Sequence, residues 1–222
     1  MKAGHVFETQ DGSHSVLSEE YGVSYHSKYG AIQESMHVFI ESGFRYKAPV
    51  SNKLSILEAG FGTGLNAVLT LLEASRHRTS VYYETIEAFP LQASEARLLN
   101  YPALLGEEAA EHFMQLHELD WDQPHTITPY FTFRKRLSRL EEAQYEHTFD
   151  IVYYDAFAPG AQPYLWEEPV LEKMYNALGE GGVLVTYCAK GAVKRVLKNL
   201  GFTIEALKGP PGKREMTRAV KG

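Results

Sequence analysis

A glycine-rich turn is the first feature of this sequence that suggests chemistry. The run EAGFGTG at residues 58–64 joins a short apolar segment to one with a helical apolar stripe, which predicts a strand, a turn and a helix. Glycines there let a ligand touch the backbone, and the first N–H groups of the helix point to the same place. The spacing G-x-G-x-G differs from the dinucleotide G-x-G-x-x-G and favours an adenosine ligand with a carboxylate and no pyrophosphate. Strand-to-helix turns also use glycine for conformational reasons, so the turn alone assigns no ligand.

A carboxylate follows at a spacing that suits a ribose. Glu87 ends the second predicted strand, 23 residues after Gly64. An acidic side chain about 20 residues beyond such a turn accepts hydrogen bonds from ribose hydroxyls. Taken alone, Glu87 could equally be a solvated acid at a strand end. Turn and acid together favour an adenosine cofactor.

A second carboxylate, Asp155, begins the run DAFAP at residues 155–159, after the fourth predicted strand. Ligands of open α/β sheets bind beyond the carboxyl ends of the strands, so Asp155 is expected in the same crevice as the glycine turn. Its carboxylate could orient an amine or accept a proton. Phe157 and Pro159 could form an apolar wall for a planar base. The alternative is an aspartate that forms a turn beside a core phenylalanine.

Other reactive residue types give weaker signals. The single cysteine, Cys188, follows an apolar strand and is expected to be a small buried residue. His112 and His117 lie five residues apart, which is wrong for a metal pair on one helix face, so no metal is expected. The basic run at residues 134–136, with Arg139, could be a solvated surface or could contact phosphates.

The elements that position these residues alternate along the chain. We predict a hairpin within residues 5–25, a helix over 31–42 closed by Gly43, and a final pair of strand-like runs. Between them, the predicted strands are 54–59, 80–87, 126–133, 149–155 and 183–187, and the helices begin at 65, 91, 165 and 190. This order predicts an α/β fold with a Rossmann-like, mostly parallel sheet whose last strand is antiparallel, and it excludes an eight-unit barrel. Residues 1–50 would form an extension packed on the domain of residues 51–222.

Composition and charge narrow the class of protein. With 44% hydrophobic and 23% charged residues the chain is globular, and no apolar run approaches the ~20 residues of a membrane span. The first residues do not resemble a signal peptide, which predicts a cytoplasmic protein. The net charge is −6, yet residues 186–222 carry +7 and residues 1–185 carry −13. The basic segment could meet an anionic partner or could be a solvated surface.

Several motifs occur together: SYHSKYGAIQESMHVFI, LEAGFGTGLNAVLTL, IEAFPL, DAFAPGAQPYLW, TYCAKGAVKRVLKNLGF and KGPPGKREMTRA. They resemble the methyltransferase half of the bifunctional tRNA 5-methylaminomethyl-2-thiouridine biosynthesis proteins, the MnmC family. The resemblance covers most of residues 20–220. It implies a class I methyltransferase with a seven-stranded sheet, S-adenosylmethionine as cofactor, and the exocyclic amine of 5-aminomethyl-2-thiouridine (or 5-aminomethyluridine) at the tRNA wobble position as methyl acceptor.

The resemblance also implies roles for particular residues. The cofactor-binding set would be Tyr25, Glu58, Gly60, Gly62, Gly64, Glu87, Phe89, Pro90 and Asp155, with the first glutamate and the glycines at the methionine, Glu87 at the ribose and Phe89-Pro90 at the adenine. Asp155 would also be catalytic, beside the reacting amine. The substrate-binding set would be Glu34, Phe157, Pro159, Lys213 and Arg214. The family usually has an acid near the adenine after the third strand, whereas this chain has FRKR at residues 133–136.

Within 222 residues there is no counterpart of the flavin-dependent oxidase half, so a stand-alone methyltransferase is expected, coupled to other enzymes that install the aminomethyl group. The basic C-terminal segment would meet the phosphates of a tRNA anticodon loop, with no membrane involved. One alternative is a small-molecule amine methyltransferase or aminopropyltransferase with the same fold. Another is a non-catalytic protein that binds an adenosine ligand and RNA.

Overall fold

Two sheets are formed by the residues that this computed structural model describes, 5–145 and 148–222. A small antiparallel sheet contains β1 (His5–Glu8), β2 (His14–Ser18) and β3 (Val23–Ser24). The central sheet contains β4 (Lys53–Ala59), β5 (Ser80–Glu87), β6 (Pro124–Thr128), β7 (Phe131–Leu137), β8 (Phe149–Tyr154), β9 (Leu178–Thr186), β10 (Phe202–Lys208) and β11 (Glu215–Lys221). Its strand order is β10-β11-β9-β8-β4-β5-β7-β6.

Helices lie before and between the strands of the central sheet. They are α1 (Ala31–Ser35), a π-helical continuation (Met36–Phe44), α2 (Arg45–Lys47), α3 (Leu65–His77), α4 (Ala93–Ala96), α5 (Tyr101–Leu105), α6 (Glu107–Glu118), α7 (Glu168–Ala177) and α8 (Gly191–Asn199), with 3-10 turns at Ala48–Val50 and Pro163–Trp166. The strands β7, β5, β4, β8 and β9 pair in parallel, and β6, β10 and β11 are antiparallel at the two edges. The predicted Rossmann-like fold class is confirmed.

The central sheet has eight strands and not seven. The segment predicted as one strand over residues 126–133 is instead a hairpin, in which β6 and β7 flank Pro129 and Tyr130. Proline has no N–H for a strand ladder, which is why a single strand through this position is disfavoured. Strand β7 consequently extends to Leu137, four residues beyond the predicted end.

Both faces of the central sheet are buried, as expected for parallel strands covered by helices. On β8, Ile151 and Tyr153 point into one apolar core and Val152 and Tyr154 into the other. All four side chains are fully buried. Successive strand residues thus supply opposite layers, and the polar groups that could bind a ligand are left at the strand ends.

The helix predicted over residues 31–42 extends further than expected. Helical backbone continues from Ala31 through the π-helical stretch to Lys47, and the prediction that Gly43 ends it is wrong. A side chain at Gly43 would place its Cβ 2.9 Å from Cε1 of Tyr153 on β8. Glycine is therefore required there because the helix packs closely against the sheet.

The helix predicted over residues 91–99 shrinks to the single turn of α4. Pro90 precedes it, and the Glu95 carboxylate accepts a hydrogen bond from the Gln92 N–H (2.8 Å), which fixes the start of the turn. Across residues 5–145 and 148–222, no helix is long and apolar enough to cross a membrane. No cluster of three or more potential metal ligands occurs in that same part of the chain.

Candidate active site

A cleft lies at the carboxyl ends of β4, β5 and β8, where the polar residues emerge from the sheet. It encloses about 950 Å³, including space open to solvent. The residues of its wall come from the N-terminal segment 18–26, the turn after β4, the loops after β5 and β7, and residues 155–165. The sequence prediction that Asp155 and the glycine turn face one crevice is confirmed.

The glycine turn has a backbone that other residues rarely adopt. Gly60 and Gly62 have φ angles of 94° and 51°, in the left-handed region. Among the described residues, a Cβ at Gly60 would come within 4 Å only of the Asp155 carbonyl oxygen, at 3.8 Å, so this backbone is open to a ligand. A Cβ at Gly62 would lie 3.0 Å from the ring of Tyr25. The N-terminal segment thus packs directly on the turn.

Glu87 connects the end of β5 to the glycine turn. One carboxylate oxygen accepts a hydrogen bond from the Gly62 N–H (3.0 Å), and the other accepts one from the Phe89 N–H (2.7 Å). A carboxylate has about four acceptor positions, so lone pairs remain for ligand hydroxyls. Both Glu87 and Phe89 line the cleft.

Two histidines contact Thr63, one at its hydroxyl and one at its carbonyl oxygen, and the sequence analysis missed their role. His26 Nε2 lies 2.7 Å from the Thr63 hydroxyl, and His117 Nε2 lies 3.2 Å from the Thr63 carbonyl oxygen. Burial lowers the pKa of each imidazole to about 4, so both are neutral near pH 7. These partners are 37 and 54 residues from Thr63, and no local pattern in the sequence joins them.

Unpartnered acceptor atoms lie behind the turn. The Glu58 side chain is fully buried, and neither of its oxygens has a hydrogen-bond partner in the described part of the chain. Oδ1 of Asn66 is also buried and has no hydrogen-bond partner among the described residues. Burial raises the pKa of Glu58 well above its usual value and Asp155 raises it further, while Thr85, Asn66 and Tyr83 act in the opposite direction. Buried acceptors without donors are costly, so this group fits a ligand that carries an ammonium.

Asp155 lines the cleft directly after β8. Its Oδ2 accepts a hydrogen bond from the Asn66 side-chain amide (2.8 Å). Burial raises the pKa of Asp155 to about 8, the Glu34 carboxylate raises it further, and Asn66 and Lys213 act in the opposite direction. This carboxyl can therefore take up or release a proton near neutral pH.

Aromatic rings form the wall next to Asp155. The Phe157 ring packs against Tyr21 and Tyr25, with centroids 5.2 and 4.9 Å apart. The Trp166 indole N–H donates to the Phe157 carbonyl oxygen (2.7 Å) and fixes this segment. Pro159 is not part of the cleft wall, so the expected Phe157–Pro159 wall is corrected to Phe157 with the two tyrosines.

Glu34 and Lys213 meet in an ion pair outside the cleft wall. Lys213 Nζ lies 2.6 Å from Glu34 Oε1 and 3.9 Å from the centroid of the Tyr187 ring. The other Glu34 oxygen accepts a hydrogen bond from the Ser27 N–H (2.8 Å). Arg214, the neighbour of Lys213, is exposed.

The basic run at residues 134–136 is structural and is neither a solvated surface nor a phosphate site. Glu84 is 1% exposed and forms ion pairs with Arg134 (3.4 Å) and Arg136 (3.1 Å). Lys135 is buried against Trp121, and burial lowers its pKa to about 8. The loop that faces the cleft follows Leu137 and contributes Glu141. Sequence analysis missed this acid because the predicted strand ended too early.

The predicted site residues therefore fall into two groups. Those in the wall of the cleft are Tyr25, Gly60, Gly62, Glu87, Phe89, Asp155 and Phe157. Those outside it are Glu34, Glu58, Gly64, Pro90, Pro159, Lys213 and Arg214. Pro90 lines an adjoining groove, and Gly64 packs under His117 at the start of α3. Direct cofactor contact by Glu58 and Gly64 stays a prediction.

Fold and cleft together define the class: a Rossmann-like protein with an open cleft at the carboxyl ends of its parallel strands. A family model described as S-adenosyl-L-methionine-dependent methyltransferase matches residues 112–222. The chain belongs to this family, and its cofactor is S-adenosylmethionine. The orphaned acceptors of Glu58 and Asn66 and the open backbone at Gly60 fit the ammonium and the chain of the methionine part.

Similar proteins confirm the resemblance to the MnmC methyltransferase half. The chain is 30% identical to the tRNA 5-methylaminomethyl-2-thiouridine biosynthesis bifunctional protein MnmC of Burkholderia mallei, over 93% of this chain and 34% of that protein. It is 31% identical to the protein of the same name from Delftia acidovorans, over 91% and 33%. The chain thus spans about a third of the length of these curated relatives.

Solved structures give the same result for the fold. The crystal structure of MNMC2 from Aquifex aeolicus matches with a TM-score of 0.82 and 25% identity, covering 99% of this chain and 70% of that one. DesVI of Streptomyces venezuelae matches with a TM-score of 0.51 and 11% identity, covering 86% and 92%. The second match reflects the fold alone.

Proposed function

We propose that this protein methylates the exocyclic amine of 5-aminomethyl-2-thiouridine, or of 5-aminomethyluridine, at the wobble position of tRNA. The observation that carries the proposal is the partly buried Asp155 carboxyl, which faces the cleft beside the open backbone of Gly60. The name of the similar MnmC proteins supports it, because their product carries a methylamino group. Such a product requires methyl transfer to a primary amine.

The chain's own residues have a limited chemical task. S-adenosylmethionine, when bound, supplies an electrophilic methyl group. A primary amine is protonated in water near pH 7 and must lose a proton before its nitrogen lone pair can react. Asp155 would accept a hydrogen bond from the amine, orient it and take up this proton. Its high pKa suits that role, and the Asn66 amide fixes the carboxyl in place.

The cofactor contacts follow from the positions of the polar groups. Gly60 and Gly62 would approach the methionine part, and Glu58 with Asn66 would accept hydrogen bonds from its ammonium. Glu87 would bind the ribose hydroxyls while it keeps its bonds to the turn. The remaining contacts would be made by Tyr25 over the turn and by Phe89, Pro90 and Glu141 around the adenine.

The base would enter the cleft from the RNA. Anticodon-loop bases are unpaired and can be splayed out into a pocket. Phe157 and the tyrosines beside it offer faces for stacking, while Pro159 and Arg214 lie farther out. Exposed basic residues of the segment 186–222 would contact phosphates, in the cytoplasm where tRNA is available. Other enzymes must first install the aminomethyl group.

The test is methylation of defined RNA. Purified protein with labelled S-adenosylmethionine is incubated with tRNA that carries the aminomethyl group and with the same tRNA lacking it. We expect one methyl group on the wobble nucleoside of the first RNA and none on the second, as seen by mass spectrometry of digested nucleosides. Equal methylation of a free alkylamine without RNA would contradict the tRNA substrate and favour a small-molecule methyltransferase.

A further inference from the structure

Two segments that are distant in the sequence meet beside Asp155. Glu34 on α1 and Lys213 in the turn between β10 and β11 are 179 residues apart and form an ion pair of 2.6 Å. Lys213 lies over the Tyr187 ring, and the Tyr187 hydroxyl donates to the carbonyl oxygen of Ala156, the residue after Asp155 (2.8 Å). The pair is therefore connected to Asp155 through packed side chains.

The geometry shows that Glu34 is not available to a substrate. It is 6% exposed, and each carboxylate oxygen already has a partner, Lys213 for one and the Ser27 N–H for the other. Neither Glu34 nor Lys213 lines the cleft. An effect of the pair on the reaction is therefore indirect, and Asp155 is the carboxyl of the cleft wall on which both of its charges act.

Asp155 faces charges of both signs. The anionic side is Glu34 on α1 and the cationic side is Lys213, while Glu58 at the end of β4 is a buried carboxyl whose pKa is raised well above its usual value. The polar neutral groups are the Asn66 amide on α3 and the hydroxyls of Tyr83 on β5 and Tyr187 after β9. His26 faces Glu34 and Lys213 and is neutral. The Glu34 side chain is 8% exposed and the Lys213 side chain is 33% exposed, so their interactions are screened less than those of a surface pair, and removing either member leaves the other uncompensated.

We propose that the Lys213–Glu34 ion pair is a positioning element that balances the charge beside Asp155 and so keeps its carboxyl able to accept a proton from the substrate amine. This inference rests on the proposed amine chemistry. It assigns Lys213 and Glu34 an electrostatic role toward Asp155 in place of direct contact with RNA. Both residues become determinants of the pH range in which the protein works.

The two partners must have opposite effects. Lys213→Met leaves the Glu34 carboxylate uncompensated, which makes Asp155 harder to ionise and moves its titration to higher pH. Glu34→Gln leaves the Lys213 ammonium uncompensated and moves the titration to lower pH. We expect shifts of about one pH unit in each direction, and a double variant near the wild type. Lys213→Arg keeps the cation and should restore the wild-type titration.

The primary measurement is the titration of Asp155 by carboxyl carbon NMR in the cofactor-free protein. The second is the acid limb of the pH–rate profile in single turnover, where one unit of upward shift lowers the rate tenfold on that limb. The matched control is the ion pair between Lys194 and Glu215 (2.9 Å), also from the C-terminal region. Lys194→Met and Glu215→Gln should leave the Asp155 titration unchanged.

A purely structural ion pair gives a different result. Lys213→Met and Glu34→Gln would then lower the melting temperature alike and would leave the Asp155 titration where it is, or shift it in the same direction. Either outcome overturns the proposal. If one of the two single variants fails to fold, the titration of Asp155 in the other decides the matter: an upward shift in Lys213→Met or a downward shift in Glu34→Gln is expected, and no shift or the opposite shift overturns the proposal. The NMR titration needs no RNA, so opposite shifts without tRNA methylation would reject the proposed substrate and retain the electrostatic role.

Discussion

At the scale of single residues, the proposed proton transfer depends on how closely the pKa of the acceptor matches the pKa of the substrate amine. An ordinary aspartate has a pKa of about 3.9 and an alkylammonium about 10.4, so transfer between them in water is uphill by about 9 kcal/mol. Burial raises the pKa of Asp155 to about 8. The mismatch then falls to roughly 3 kcal/mol, which makes the carboxyl a far better acceptor for this proton.

Asp155→Asn tests this acceptor directly. The amide keeps the size of the side chain and loses the ability to take up a proton. We expect the single-turnover rate of tRNA methylation to fall by about 10²- to 10⁴-fold, with S-adenosylmethionine affinity retained. Because free amine increases with pH, the variant should recover partly at high pH. A near-wild-type rate at neutral pH would make Asp155 a structural turn residue.

Glu87→Ala tests the proposed ribose contact. The variant loses acceptors for ligand hydroxyls as well as the bonds from the Gly62 and Phe89 N–H groups. S-adenosylmethionine binding should weaken by about 1.5–3 kcal/mol, measured by calorimetry. Glu95→Ala, at the rim of the adjoining groove, is the comparison variant. Equal S-adenosylmethionine affinities for the wild type and Glu87→Ala would contradict a contact between Glu87 and the ribose.

At the scale of elements, the glycine turn depends on segments outside the central sheet. Tyr25 and His26 contact it from the N-terminal segment, and His117 contacts it from α6. The turn thus has little freedom to move. A preorganised turn binds its ligand without an ordering cost, which is one physical use for an extension ahead of the sheet.

Gly62→Val is the sharpest perturbation of this element. A branched side chain would require a strained backbone at φ 51° and would push against the Tyr25 ring. We expect S-adenosylmethionine binding to be lost, by calorimetry, while the circular dichroism spectrum stays close to wild type. Removing the ring with Tyr25→Ala relieves only the contact, so the double variant should remain defective. Unchanged cofactor affinity in Gly62→Val would contradict the prediction that the glycine turn binds S-adenosylmethionine.

The histidines around Thr63 predict a pH dependence of stability. Their pKa values are about 4 in the fold against about 6.5 in an unfolded chain. The unfolded chain therefore takes up protons first, and stability decreases as the pH falls from about 6.5 to 4 and no further below that. His26→Phe should flatten this decrease by up to roughly 3 kcal/mol in denaturant titrations. His112→Phe, on the surface of α6, serves as the control, and an equal slope in His26→Phe would contradict the prediction.

At the scale of the whole molecule, charge is distributed unevenly, with +7 in residues 186–222 of a chain at −6. Several of these cations form ion pairs within the protein: Lys213 with Glu34, Lys194 with Glu215 and Arg218 with Glu205. Lys208 and Arg214, at the two ends of the turn that carries Lys213, are exposed. The RNA surface is therefore expected around this turn.

Lys208→Ala with Arg214→Ala tests that surface. Loss of two phosphate contacts should raise the apparent Kd for tRNA and reduce its log–log salt slope by about 1.4–1.8. S-adenosylmethionine affinity should not change. Lys47→Ala with Lys53→Ala, from a different region, provides a charge-matched comparison. A salt slope equal to that of the wild type would mean that the turn is a solvated surface.

How much of this site the sequence could predict depends on the range of each interaction. The glycine turn, Glu87 and Asp155 were found because each directly follows or ends an apolar strand, and strand ends share one edge of the sheet. His26 and the Glu34–Lys213 pair depend on contacts between distant segments, and only the resemblance indicated Glu34 and Lys213. Glu141 was missed because Pro129 divides one apparent strand into two, which shifts the end of β7.

The ion pair between residues 34 and 213 also has a consequence for synthesis. A ribosome makes the chain in one direction, so Glu34 emerges long before its partner 179 residues further on, and the chain between them must be closed into a loop. A contact between residues so far apart in the sequence has a large loop-closure cost, and we expect it to form late in folding. The glycine turn and its parallel strands can therefore be in place while the neighbourhood of Asp155 is still incomplete. Competence for methyl transfer should appear only after the last hairpin has docked, in a single late step.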